Sequence, residues 1–486
     1  MYTTLRTSRL TEFNVVVKKK FELNIALTYP STYQSSLSSL GFQTVYYLLN
    51  QQDEVYAERV VSTGAHTARS IERGTPLRRF PVILASLSYE LDYPNFINIL
   101  RQSNIPIKRL ERGEEDPLII AGGAAVTGNP SPLHQVVDAV VRGESEEIIP
   151  ELATVLLESQ GLPKKTVLEN LSRIEGVWIP DLKENTGIRI TRDLDSAFHP
   201  VRQIQNPRVE PVFGRAMMVE PIRGCARGCS FCMEASITRL RRERSMETVI
   251  RLISDGIRVN SVSRVAFYTL SFFDSSLGER LLEYLVEEGI EASIPSVRAD
   301  ALNEKRVSLV KAVGQKTLTI APETPVFRLQ RVLRKHISDD KVLEVADYVS
   351  RLGMSLKLYY MVGVPGESDE DLRAIVEQVR KIRDIMGDKR RIKVSVNPFI
   401  PKPETLLWGN RMEDKRTLKR KLFFLKRELA KHVGRVDVYP LNLAVFQYEV
   451  NRMGKNSLQL ILSLADKWNY AESFNNHGDR GVEVFG

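Results

Sequence analysis

Short apolar runs rich in β-branched residues alternate with amphipathic stretches over the first third of the chain. The runs predict five strands, at 22–27, 54–61, 82–87, 118–122 and 137–143. Apolar residues at helical spacing lie between them. Strands separated by helices pair in parallel through right-handed crossovers. Residues 1–159 are therefore predicted to form a doubly wound, flavodoxin-like α/β sheet.

Loops at the carboxyl ends of such strands form the usual ligand crevice of an open parallel sheet. The loops predicted at this edge include 28–40, 88–93 and 122–131. Gly122 and Gly123 directly follow an apolar strand, and without a Cβ they let a bulky ligand approach the backbone closely. A tight turn between strand and loop is the other interpretation of this pair.

The alternation stops between 160 and 213, where polar, proline-containing sequence predicts a linker between domains. It resumes with six predicted strands, at 217–222, 264–270, 290–296, 316–320, 355–362 and 391–397. Six strand–helix units predict a partial (β/α)6 TIM-like barrel over 214–410, whose functional end is the carboxyl edge of the strands. Residues 411–486 are predicted to form a small, mostly helical C-terminal extension.

The composition is ordinary for a globular protein, with 43% hydrophobic and 27% charged residues. No apolar run approaches the roughly 20 residues that a membrane span needs, and the first residues lack the apolar core of a signal peptide. We therefore expect a cytoplasmic protein. The net charge of +9 suits a nucleic acid, an anionic lipid surface or an acidic substrate, or only a basic surface spread over a long chain.

All three cysteines of the chain, Cys225, Cys229 and Cys232, lie within eight residues after the first predicted barrel strand. So few cysteines exclude a disulfide framework and agree with a reducing compartment. Thiolates suit iron–sulfur clusters or zinc. Three thiolates bind three irons of a cubane and leave the fourth iron open. A Cys3His zinc site, completed by one of the six histidines, is the alternative.

The Cys-x3-Cys-x2-Cys spacing after strand one of a six-unit array resembles the radical S-adenosylmethionine (SAM) superfamily. The resemblance implies a 4Fe–4S cluster ligated by these cysteines, with SAM on the open iron. It implies reductive cleavage of SAM to methionine and a 5′-deoxyadenosyl radical that attacks a substrate. It also implies a reductant, such as a ferredoxin or flavodoxin, as partner. An iron–sulfur redox or binding protein without turnover is the alternative from a different class.

Two further matches to the family assign contacts to SAM. Phe231, just before the last cysteine, occupies the family position that lies against the adenine. Residues 319–372 are similar to the family segment around strands four and five. This similarity places Gly363, Val364 and Gly366 in the fifth-strand loop against the adenine. The alternative is a purely structural role, in which the phenylalanine packs in the core and the glycines form a turn.

The same similarity assigns polar contacts with SAM to Glu323 and Arg298. In a purely structural role, Glu323 would be an acidic residue at a helix N-terminus, and Arg298 would form an ion pair at the surface. The chain departs from the family after strand two, where YTLSFFD at 268–274 replaces the Gly-Gly-Glu type segment that holds the SAM amino group. Thr269 or Ser271 would accept that amino group instead.

The first domain, through IAGGAAVTGNPSPLHQVVDAVVRGESEE at 120–147, resembles the cobalamin-binding type domain that precedes many radical SAM enzymes. The Asp-x-His-x-x-Gly signature that supplies a histidine to cobalt is missing, so bound cobalamin would lack that ligand, or only the fold is kept. Cobalamin-dependent methylation is one expected reaction, and cobalamin-free C–C bond formation or rearrangement is the alternative. A methylthiotransferase is excluded because no cysteine remains for a second cluster. The sequence identifies neither the substrate nor a catalytic acid or base.

Overall fold

A computed structural model describes residues 2–6, 11–62, 67–182 and 186–467. The chain divides into two compact units. The first comprises Met1–Met218, Ser254–Val262 and Glu449–Gly486, and the second comprises Val219–Ile253 and Ser263–Tyr448. The bounds of the four segments predicted from the sequence stay predictions. No helix in the described ranges is long and apolar enough to cross a membrane.

Strands supply the frame of both units. In chain order the described strands are β1 (Tyr2–Arg6), β2 (Thr11–Val16), β3 (Leu23–Tyr29), β4 (Val55–Val61), β5 (Val82–Ser86), β6 (Leu118–Gly122), β7 (Ala139–Val141), β8 (Val177–Trp178), β9 (Met217–Val219), β10 (Ile222–Arg223), β11 (Arg242–Glu243), β12 (Arg264–Phe267), β13 (Glu291–Ser293), β14 (Thr317–Glu323), β15 (Ser355–Val362), β16 (Ile392–Pro398) and β17 (Arg435–Val438). Most are short, and the longest, β15, has eight residues.

Helices follow most of the strands. In chain order the described α-helices are α1 (Tyr33–Leu37), α2 (Leu40–Gln51), α3 (Asp92–Gln102), α4 (Ala124–Gly128), α5 (Ser145–Glu158), α6 (Lys164–Leu171), α7 (Met233–Thr238), α8 (Met246–Asn260), α9 (Ser276–Glu287), α10 (Glu304–Ala312), α11 (Phe327–Leu333), α12 (Asp339–Arg351), α13 (Asp369–Met386), α14 (Lys415–Leu429), α15 (Leu441–Met453) and α16 (Leu458–Lys467).

The first unit is built on a six-stranded sheet of order β4-β3-β5-β6-β7-β8. Its first five strands are parallel and β8 is antiparallel, while β1 and β2 form a separate antiparallel pair. The first strand of the sheet, β3, lies between the second and the third, which is the flavodoxin-like order. Strand β4 is buried along its whole length, as expected for a parallel sheet covered on both faces. The predicted fold of this region is confirmed.

A late segment of the chain packs on the loops after β5 and β6 in the same unit. The Asn451 side-chain amide donates to Glu90 (2.5 Å) and its carbonyl accepts from the Asn129 amide (3.0 Å). The Ser457 hydroxyl donates to the carbonyl of Pro132 (3.0 Å). These bonds satisfy buried polar groups at the carboxyl edge of the sheet, since Glu90 is 1% exposed.

Two further sheets have the order β13-β12-β9 and β14-β15-β16-β17, and within the second unit β12 and β13 are parallel, as are the strands from β14 to β17. A parallel bridge between Val297 and Ile320 joins the end of the first sheet to β14. The strands follow one another in chain order with helices between them, which confirms the TIM-like prediction. Strand β17 adds a seventh strand to the six predicted, and it lies in the region that was predicted to be a mostly helical extension.

Candidate functional site

The cysteine loop lies between the two-residue strand β10 and helix α7. Gly224, at the start of the loop, has a φ of +79°, and a Cβ there would lie 2.7 Å from the carbonyl oxygens of Arg239 and Leu240. The chain can therefore enter the loop only through a residue without a side chain. At the other end Cys232 is the N-cap of α7, and its sulfur accepts a hydrogen bond from the N–H of Ala235 (3.5 Å).

The three thiols are free and half-buried. Burial raises the pKa of Cys232 to about 12. Burial also raises the pKa of Cys229, an effect that the positive charges of Lys335 and Arg298 oppose. The thiolate is the form that binds metal, so metal binding by this loop releases protons. Among the described side chains no three from His, Cys, Asp or Glu lie together as a group that could hold a metal ion.

The donor chemistry of the loop fits an iron–sulfur cluster better than a closed zinc site. Three thiols on one loop leave a fourth position of a cubane open, whereas structural zinc needs four protein ligands. The assignment of the three cysteines as iron ligands stays a prediction.

Two arginine–aspartate pairs hold the cysteine loop. Arg227 binds Asp274 through two hydrogen bonds of 3.0 and 2.6 Å. Arg298 binds Asp300 through two bonds of 2.9 Å, and its third nitrogen lies 3.8 Å from the sulfur of Cys229. Arg298 thus forms an ion pair, as the structural alternative predicts, and it also contacts Cys229, a predicted cluster ligand.

Helix α11 supports the loop from the other side. The hydroxyl of Ser230 donates to the carbonyl of Val332 (2.6 Å), and its N–H donates to that of Leu333 (3.0 Å). Phe231 packs against a buried cluster that contains Leu333 and Val364, together with Leu329 and Phe399. The aromatic residue of the cysteine loop and the loop after β15 therefore share one small core.

A buried ion-pair network fixes the loop at 363–366. The carboxylate of Glu367 accepts from the N–H of Gly363 (2.9 Å) and from the ammonium of Lys421 (2.9 Å). Lys421 also binds Glu413 (2.8 Å). Burial raises the pKa of Glu367, while the Gly363 N–H and Lys421 oppose the rise. At the far end of the loop the carbonyl of Gly366 accepts from Arg328 (2.6 Å).

Glu323, at the end of β14, has a left-handed backbone with a φ of +63°. Non-glycine residues adopt this region rarely, and such strain is concentrated at functional sites. Its carboxylate accepts a hydrogen bond from the ammonium of Lys335 (2.8 Å), and the two side chains are 11% and 10% exposed. The ammonium also lies 6.0 Å from the centre of the Phe231 ring. Lys335 was not predicted, because it stands in a basic run (RKH) typical of an exposed helix end.

The loop after β12 places Thr269 and Ser271 in buried positions. The oxygen of Thr269 accepts from the N–H of Ser271 (3.4 Å). The hydroxyl of Ser271 has no hydrogen-bond partner within the described ranges. A buried hydroxyl without a partner is unfavourable, so Ser271 has donor and acceptor capacity for a bound group.

Gly122 and Gly123 belong to the first unit, where they end β6 and begin α4. Gly123 has a φ of +114°, and a Cβ there would lie 2.4 Å from the carbonyl oxygen of Leu87. The group that closely approaches the Gly123 backbone is therefore the loop after β5. Ligand contact at the two glycines stays a prediction.

Comparisons with known proteins bear on the family of the chain. The profile of the radical SAM superfamily matches residues 219–379, and that of the N-terminal region of radical SAM proteins matches residues 41–180. The uncharacterised protein MJ0966 of Methanocaldococcus jannaschii is 29% identical over 435 residues, which cover 89% of each chain. The ribosomal protein uS12 methylthiotransferase RimO of Phocaeicola vulgatus is 27% identical over 183 residues, or 34% of this chain and 41% of that protein.

A solved structure shares the fold. The radical SAM methyltransferase TsrM from Kitasatospora setae, determined with cobalamin and a 4Fe–4S cluster bound, superposes with a TM-score of 0.54. It is 14% identical in sequence, over 80% of this chain and 74% of that one. The cysteine loop and the Glu323 and Gly363 segments all lie within the residues matched by the superfamily profile. The chain therefore belongs to the radical SAM superfamily, as an enzyme that uses a 4Fe–4S cluster and SAM.

Proposed function

We propose that Cys225, Cys229 and Cys232 hold the 4Fe–4S cluster through their thiolates, and that SAM binds beside them. When bound, the cluster supplies the electron that cleaves SAM into methionine and a 5′-deoxyadenosyl radical. One observation supports this placement above all: Phe231 packs against the same core as Val364, beneath the ion pair of Glu323. Three segments that the family resemblance assigns to SAM thus lie together.

The residues around the thiols would bind SAM by complementary charge and shape. Arg298 is a cation beside Cys229, and it suits the SAM carboxylate. Glu323 and the unpartnered hydroxyl of Ser271 are acceptors for the SAM amino group. The Phe231 ring and Val364 offer apolar surface that would exclude water from the adenine.

We propose cobalamin-dependent methylation of an unactivated carbon as the reaction. The flavodoxin-like strand order of the first unit supports this, as does the likeness to TsrM, which binds cobalamin. Two observations favour the alternative, a cobalamin-free C–C bond formation or rearrangement. The histidine signature for cobalt is missing, and the chain itself covers the loops after β5 and β6.

The three cysteines leave no ligands for a second cluster, so methylthio transfer stays excluded as the reaction. The enzyme requires a reductant, for which a ferredoxin or flavodoxin is expected in a reducing cytoplasm. An acidic substrate or a nucleic acid would suit the net charge of +9.

Release of 5′-deoxyadenosine tests the enzyme function. Protein reconstituted anaerobically with iron and sulfide is mixed with SAM and dithionite, and the products are separated by chromatography. We expect 5′-deoxyadenosine from the wild type and none from Cys225→Ala. An intact cluster without any product refutes SAM cleavage and favours the binding-protein alternative.

Corrinoid content tests the reaction class. The chain is produced with cobalamin supplied, purified, and extracted for absorbance spectroscopy. About one corrinoid per chain supports methylation, whereas a blank spectrum favours the cobalamin-free alternative.

A further inference from the structure

Lys335 is a lysine that the fold buries beside the cysteine loop. It is 8% exposed, it donates to Glu323 at 2.8 Å, and it lies 6.0 Å from the Phe231 ring centre. Phe231 stands in the cysteine loop between the predicted iron ligands Cys229 and Cys232. The ion pair therefore lies beside the loop that carries the predicted ligands. Lysine is almost never buried unless it is paired.

The backbone around Lys335 is fixed on both sides. The side-chain amide of Gln330 donates to the carbonyls of Thr324 (3.0 Å) and Ile337 (2.6 Å), which clamps the two ends of the segment together. The N–H of Lys335 donates to the carbonyl of Gln330 (3.0 Å). Gln330 is itself buried, so this clamp is protected from water. The position of the ammonium is thus set by the fold and is not that of a surface lysine folded inward by chance.

We propose that Lys335 is a positioning residue that directs the Glu323 carboxylate to SAM and sets a fixed positive charge beside the cluster. The inference rests on the proposed cluster and SAM site. Reduction adds one electron to the cluster, taken from dithionite or the protein reductant, and a nearby positive charge stabilises the added negative charge. Lys335 therefore raises the reduction potential of the cluster as well as ordering Glu323.

Three substitutions separate the charge from the structural contact. Lys335→Gln removes the charge and keeps an N–H donor for Glu323, and Lys335→Arg keeps the charge. Lys341→Gln is the matched control, since Lys341 forms an exposed ion pair with Glu344 at the same 2.8 Å. The reduced fraction of the reconstituted cluster is measured by electron paramagnetic resonance at fixed applied potentials, without SAM.

In Lys335→Gln we expect the ratio of reduced to oxidised cluster to fall about tenfold at a fixed potential. This corresponds to a shift of about 59 mV for a one-electron couple. Lys335→Arg and Lys341→Gln should match the wild type within a factor of about two. The affinity for SAM, measured by calorimetry, should fall several-fold in Lys335→Gln and be largely restored in Lys335→Arg.

Glu323→Gln supplies an independent measurement if Lys335→Gln does not fold. It removes the negative member of the pair, so the ratio of reduced to oxidised cluster should rise. A reduced fraction equal to the wild type in Lys335→Gln, or a fall in Glu323→Gln, overturns the inference while leaving the proposed function intact. A wild-type chain that forms no reducible cluster overturns the proposed function, and the inference with it.

Discussion

Replacing Lys421 with methionine tests how the loop at 363–366 is held. The lysine side chain is 3% exposed and that of its partner Glu367 is 1% exposed. Removing one member of a buried ion pair leaves the other charge uncompensated, which costs about 3–5 kcal/mol. We expect the lower end, about 3 kcal/mol, because Glu367 keeps the hydrogen bond from Gly363 and the second partner, Glu413, reaches water.

The adjacent residue gives a matched control. Arg420, on the same helix, binds Asp369 through two hydrogen bonds, but both side chains are more than half exposed. Exposed pairs contribute little to stability, so Arg420→Met should lower the free energy of unfolding only slightly. Urea unfolding followed by circular dichroism compares the two variants. Equal losses in both would refute the role assigned to the buried network.

The dependence of stability on pH gives a second test of the buried ion pair, because its direction can be predicted. In the wild type, burial raises the pKa of Glu367 and Lys421 opposes the rise. Without the lysine the folded-state pKa rises further above the unfolded value, so the protonated carboxyl is favoured by folding. Stability is then present at low pH and lost as pH rises through that interval. The loss of stability in Lys421→Met should be greater at about pH 8 than at about pH 5, and the reverse order would contradict the reasoning.

Three shorter tests address other features. Cys229→Ala should abolish the broad visible absorbance of the reconstituted cluster, and its persistence would indicate other ligands. Gly123→Ala should lower the free energy of unfolding by more than about 1 kcal/mol, because its φ is +114° and the Cβ would meet a carbonyl oxygen, whereas Gly113→Ala, in open space, should change it by less. Burial raises the pKa of Asp92 to about 7. The melting temperature of the wild type relative to that of Asp92→Asn should therefore fall as pH rises from about 4 to about 7.

The elements with strong local signals could be predicted from the sequence. Buried parallel strands such as β5 and β6 are continuous apolar runs, which the period and flanking residues reveal. Helix α13 begins at Asp369 after the N-cap Ser368, and its first turn carries three acidic residues, as the helix dipole favours. The two-residue strands β8, β10 and β11 and the four-residue β17 depend on partners distant in sequence, so no local pattern marks them.

The candidate site, too, could be predicted from the sequence only in part. The cysteine spacing is local and identifies the loop, but the environment of the thiols is made by residues far apart in sequence. Lys335 and Lys421 stand in basic runs that suggest solvent exposure, and only the fold buries them against Glu323 and Glu367. Whether a lysine is paired inside a protein depends on what packs around it, which its neighbours in sequence do not encode.

The contact of Asn451 with Glu90 and Asn129 also orders events during synthesis. When the ribosome has translated only residues 1–218, the two loop side chains lack this partner. The carboxyl edge of the nascent sheet then lacks the hydrogen bonds and the cover that the segment 449–467 supplies. Its partner segment, 449–467, leaves the exit tunnel only after the whole second unit has emerged. The first unit can therefore complete its contacts only after the second unit has been synthesised.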